Sequence, residues 1–96
     1  MIIHIALFKW RKNISRKDIL QIMDDVLSMK GKIKEIIDLS CGRNFSKWSK
    51  GYTHAVVVKV KDKKALDKYR KHPIHIPIAK RIEELEQDSI GIDFKI

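Results

Sequence analysis

At 96 residues the chain has room for one small domain, spanning 1–96, in the size range where a single core is thin and association between copies often supplies the missing burial. A hydrophobic share of 44% is ordinary for a globular chain, and no run approaches the roughly 18 uninterrupted apolar residues of a membrane span, so a water-soluble protein without a membrane partner is expected. The net charge of +9 raises nucleic acid and anionic lipid as partners, but the lysines are scattered among Asp24, Asp25, Glu35, Asp62, Asp67 and Glu83-Glu84-Glu86. They do not form one aromatic-studded basic stripe, and nucleic-acid binding is not expected.

Residues Met1 to Leu7 are apolar, yet they lack a basic lead and a small-residue cleavage site and run straight into Lys9-Trp10-Arg11-Lys12, so no signal peptide is read. The lone Cys41 cannot close an intrachain disulfide, which fits a reducing, cytoplasmic compartment; it reads as a small core residue rather than a nucleophile.

Ile2 to Trp10 reads as a strand, with His4, Ala6, Phe8 and Trp10 on one face and Ile3, Ile5 and Leu7 on the other. A helix then starts at Ser15, an N-cap with Asp18 three residues on and Ile14 placed to staple against Ile19. Its apolar stripe is read as Ile19, Leu20, Met23, Val26 and Leu27, and Gly31 supplies the stop. A second strand is expected from about Ile36 to Asn44, a polar turn from Ser46 to Gly51, and a third strand from Tyr52 to Lys61. In that third strand Tyr52, His54, Val56, Val58 and Val60 share a face. Asp62 caps a helix through Ala65, Leu66 and Tyr69 that must stop at His72-Pro73, because proline bars the preceding residue from helical geometry. A further helix is expected from about Pro77 to Glu86, and a last strand from Ser89 to Ile96 with Ile90, Ile92, Phe94 and Ile96 on one face.

Strand, helix, strand, strand, helix, strand is the order of the split βαβ, or ferredoxin-like, α+β sandwich, βαββαβ. The first and third strands are expected to lie parallel at its centre, with helices over one face. Both faces of those strands are apolar, so helices on one side leave Ile3, Ile5, Leu7, Ala55, Val57 and the Ile90, Ile92, Phe94 row facing water. A patch above about 600 Å² is unusual on a monomer. The economical cover is a second copy, sheet face against sheet face, giving a homodimeric α+β barrel.

That topology is read as gathering His4, His54, Asp93, Tyr69 and His75 at one end, between sheet and helices, in a space walled by Phe8, Val56, Val58, Leu20 and Met23. The sequence then carries a set of elements together: His4 with Leu7-Phe8-Lys9, Gly42 and Asn44, Gly51-Tyr52-Thr53-His54-Ala55-Val56-Val57-Val58, Tyr69 with His72-Pro73-Ile74-His75, and Asp93-Phe94. Over nearly the whole chain this set resembles the stress-responsive A/B barrel (Dabb) family of the dimeric α+β barrel superfamily. The resemblance implies a dimeric barrel. The family includes stress-induced plant proteins, bacterial members of unknown role and a plant polyketide cyclase, in which the tyrosine and second histidine of Tyr-x-x-His-Pro-x-His act on a poly-β-keto chain while the late aspartate orients that histidine. Carried onto this chain, those positions are Tyr69, His75 and Asp93.

The chemistry suits these groups. Closing a polyketide by aldol addition needs a base to remove a proton between two carbonyls and a donor for the developing oxyanion. An imidazole and a phenol hydroxyl supply them, no cofactor or metal is required, and the ligand would be a small hydrophobic keto compound. Two readings stay open: a small-molecule enzyme or binder using Tyr69, His75 and Asp93, and a non-catalytic, stress-associated structural dimer whose His/Tyr/Asp cluster only stabilises the fold. His75 shares a stripe with Ile78 and Ile82 and also reads as a core histidine satisfied by Asp93.

Overall fold

Ser15 and Asp62 start two helices through their side chains, because the first N–H groups of a helix have no partner within it. In a computed structural model that describes all 96 residues, Met1–Ile96, Ser15 Oγ accepts from the Asp18 N–H at 3.1 Å and Asp62 Oδ1 accepts from the Ala65 N–H at 2.8 Å. The element order is β1 (Ile2–Trp10), α1 (Arg16–Ser28), β2 (Ile36–Arg43), β3 (His54–Val60), α2 (Lys63–Lys71), α3 (His75–Leu85) and β4 (Glu86–Lys95). Gly31, just past α1, takes φ +89°, a conformation that costs glycine little.

The strands form one sheet in the order β2-β3-β1-β4, with every neighbouring pair antiparallel. This is a ferredoxin-like α+β fold. The expected parallel pairing of the first and third strands is corrected. The α1 crossover leaves β2 parallel to β1, the turn after β2 reverses the chain, and β3 therefore runs against β1. Ile2 lies opposite Val60, and Phe8 lies opposite His54. His4 and His54 are thus at opposite ends of the sheet.

The helices cover one face. Ile22, Val26 and Met29 from α1 and its C-cap, Val58 and Val60 from β3, and Ile33 are at most 2% exposed and make the centre of the core. The inward stripe of α1 is centred on Ile22 and Val26, leaving Leu20 and Leu27 at 55% and 44% exposure on the rim. The opposite sheet face carries Ile3, Ile5, Leu7, Ala55 and Val57 with no helix over it, and Ile90, Ile92 and Phe94 of β4 are exposed. No helix is long and apolar enough to cross a membrane.

Candidate functional site

The break between α2 and α3 sets the site. Proline forces His72 into extended geometry (φ −64°, ψ 136°) and ends α2 at Lys71. His72 Nδ1 then accepts the Ile74 N–H at 3.1 Å, so this histidine satisfies the start of α3, not the end carbonyls of α2. Helix α3 begins at His75, two residues before the expected Pro77, since a proline in the first turn forfeits no helical hydrogen bond. Tyr69 from the last turn of α2 and His75 from the first turn of α3 therefore face each other, ring centroids 4.4 Å apart.

Both rings line a cavity of about 140 Å³ between sheet and helices. Its floor is His4, Ala6 and Phe8 of β1 with Val56 of β3, and its walls are Val26, Met29, Ile78, Ala79 and Ile82. Tyr69 is 3% exposed, and burial pushes its pKa up to about 12, so the phenol keeps its proton. Its hydroxyl makes no hydrogen bond within the chain, yet no sealed side-chain polar atom is left unpaired, so the oxygen borders open space. The Nδ1–H of His75 donates to the Arg70 carbonyl at 3.0 Å. That bond fixes the tautomer and leaves Nε2 with a free lone pair in the neutral ring. Burial is the main cause holding the His75 pKa below its ordinary value, and the positive neighbours add to it.

Asp93 does not reach His75. It accepts from His4 Nδ1 at 2.5 Å and from the Arg70 guanidinium at 2.6 Å. Burial alone would raise the carboxyl, but these two bonds and their charges outweigh it and hold Asp93 below the usual carboxylate range. The network ties β1, β4 and α2 together and orients His4, whose ring lies 6.0 Å from that of Tyr69.

The remaining residues expected at this place lie elsewhere. His54, at the Phe8 end of the sheet, accepts the Trp10 indole N–H at 2.9 Å and borders a separate groove beside α1. Leu20 and Met23 border that same groove, and Val58, fully buried beneath the helices, lines neither space. The misplacement of His54 follows from reading β1 and β3 as parallel; that of Leu20 follows from rotating the α1 stripe away from Ile22. Arg70 was not anticipated, and the only signal for it is its place beside Tyr69 on a helix approaching the Asp93 end of β4.

The model of the family described as the stress responsive A/B barrel domain matches residues 2–96. The chain belongs to the Dabb family. Among solved structures, this Dabb chain is similar to a dimeric ferredoxin-like protein of unknown function from Thermobifida fusca (23% identity, 99% of this chain and 90% of that one, TM-score 0.89). It is also similar to an Arabidopsis thaliana protein (21% identity, 100% and 95% covered, TM-score 0.91) and to a hydroxynitrile lyase from Passiflora edulis (18% identity, 99% and 92% covered, TM-score 0.92). At these identities the likeness extends to the Dabb fold. No curated protein sequence matches the chain.

Proposed function

We propose that the cavity is an acid–base site for a compact carbonyl compound, in which His75 moves the proton and Tyr69 donates a hydrogen bond to the oxygen. The observation that carries this reading is the pairing, in one cavity, of an imidazole with a free Nε2 and a phenol without a protein partner. In the step, His75 Nε2 takes a proton from the carbon beside the carbonyl; the electron pair of the C–H bond shifts to the oxygen, where the Tyr69 hydroxyl meets the developing enolate. The imidazolium then returns the proton, as an aldol addition or its reverse requires. Asp93 is a positioning residue here, acting through His4 and Arg70.

The volume decides substrate size. About 140 Å³ is close to the roughly 150 Å³ engineered cavity that takes up benzene. A ring-sized ketone or aldehyde fits, whereas an extended poly-β-keto chain does not unless the walls move. A compact hydroxynitrile, the substrate class in the name of the Passiflora edulis protein, asks for the same two groups. The base takes the hydroxyl proton as the bond to cyanide breaks and, as imidazolium, gives it to the departing cyanide, while the donor bonds the oxygen that becomes the carbonyl.

We also propose that the chain is a homodimer closed by the uncovered sheet face. The apolar row on β1, β3 and β4 is self-complementary under a two-fold axis, and the Thermobifida fusca protein is dimeric.

The test is deuterium uptake at the α-carbon of cyclohexanone and acetone in D₂O, followed by NMR, with hydroxynitrile cleavage measured alongside. The wild type accelerates one of the two reactions, and both His75→Gln and Tyr69→Phe lower it at least about 100-fold, within the range for lost acid–base groups. Acceleration that survives both substitutions, or no acceleration at all with any compact carbonyl or hydroxynitrile, would overturn the reading.

A further inference from the structure

The groove beside α1, at the other end of the sheet, encloses about 620 Å³, within the usual range of small-molecule sites, and has no acidic residue in its lining. Its apolar wall includes Ile19, Leu20 and Leu27 of α1 with Trp10 of β1. Three cations, Lys9, Arg16 and Arg43, stand around it. None takes part in an ion pair of the chain; Lys9 instead lies over the Tyr52 ring at 4.8 Å.

His54 adds a fourth donor. Its Nδ1 accepts the Trp10 indole N–H at 2.9 Å, so the neutral ring carries its proton on Nε2. Burial, then the neighbouring Arg43, hold its pKa below the ordinary value and keep it neutral. The groove thus offers hydrogen-bond donors and positive charge with no carboxylate in its own lining, beside leucines that remain 55% and 44% exposed.

We propose that this groove binds an amphipathic monoanion: a carboxylate held by Arg16 and Arg43, on an alkyl or aryl body laid along Ile19, Leu20 and Leu27. Two guanidiniums match a carboxylate in geometry, and the apolar wall excludes a ligand that is polar throughout, such as a free sugar phosphate. Leu20 and Leu27 lose their contact with water when the body binds. Its α1 wall, with Trp10 and His54, lies on the helix-covered side of the sheet. The proposal does not depend on the chemistry of the His75 cavity.

Cys41 is the chain's one cysteine and lines the groove, so its reaction with an aromatic disulfide reagent reports occupancy there and nowhere else. Decanoate is expected to slow that reaction at least fivefold, with half-effect below about 1 mM. Decanol, the uncharged counterpart, is expected to need at least ten times more. The pair Arg16→Gln and Arg43→Gln, both exposed and so compatible with folding, should raise the half-effect concentration of decanoate at least tenfold and leave that of decanol unchanged. The proposal fails if decanoate gives no protection, if decanol protects equally, or if the double variant protects as the wild type does. It also fails if Cys41 is protected without ligand in proportion to protein concentration, which would assign the groove to another copy of the chain.

Discussion

At the residue scale the decisive property is the protonation of two side chains. Burial pushes Tyr69 up to about 12 and holds His75 below its ordinary value, so at neutral pH the phenol is a donor and the imidazole a base. A base with a lowered pKa predicts a rate that rises with pH through an apparent pKa below about 6.5 and levels off above it. The phenol adds no falling limb below about pH 10. Stability follows the same groups: below about pH 6.5 the unfolded chain binds protons that His75 and His54 do not bind when folded, so stability is lost as pH falls from there toward their folded pKa values. A melting series from pH 7.5 to 5 should show that decline, and His75→Gln should flatten it. Tyr69→Phe should leave the melting temperature within about 3 °C of the wild type while removing activity, because the hydroxyl has no partner in the chain to lose.

The element scale is where the sequence was most and least legible. Caps and breaks are local chemistry: Ser15, Asp62, Gly31 and the His72-Pro73 junction all mark element ends as read from the chain alone. Asp62→Ala should cost about 1 kcal/mol, lowering the melting temperature by roughly 4–8 °C for a domain of this size. Strand direction is not local. Alternation says which face a residue takes and gives no sign of which way its neighbour runs, so His54 was assigned to the correct face at the wrong end. The same limit hid the partners of Asp93: register puts Asp93 opposite His4, and the aspartate bonds His4 on the neighbouring strand and Arg70 of α2 rather than His75 of α3. The rotation of α1 is not legible because Ile19, Leu20 and Ile22 to Met23 form a nearly continuous apolar run, which blurs the edges of the stripe; packing against β2 and α3 leaves Ile22 and Val26 innermost.

For the whole molecule, the fold class and the uncovered face are legible in the patterning of all the strands taken together. Both faces of β1 and β3 are apolar while helices cover one, and that imbalance is a property of the full chain. Ile5 lies opposite both Val57 and Ile92, at the centre of the uncovered face. Ile92→Lys should therefore convert a dimer to a monomer in light scattering, since a stable interface of about 800 Å² per partner tolerates no unpaired charge at its core. An unchanged mass for that variant would point to a different interface. The size of the cavity was beyond the sequence altogether. Helix-to-sheet spacing depends on how side chains such as Met29, Ile78 and Ile82 interlock, and composition alone does not carry that.

The central claim is a neutral His75 with its proton on Nδ1 and Nε2 free, beside a protonated Tyr69. The most direct measurement is a ¹⁵N NMR titration of the imidazole nitrogens, with His75→Gln used to assign the resonances. The account predicts the Nδ1–H tautomer for His75 at pH 7 and a pKa below 6.5, with a shift of its Nε2 resonance when cyclohexanone is added. An Nε2–H tautomer, or a pKa above 6.5, would contradict it and leave His75 as a structural residue of the fold.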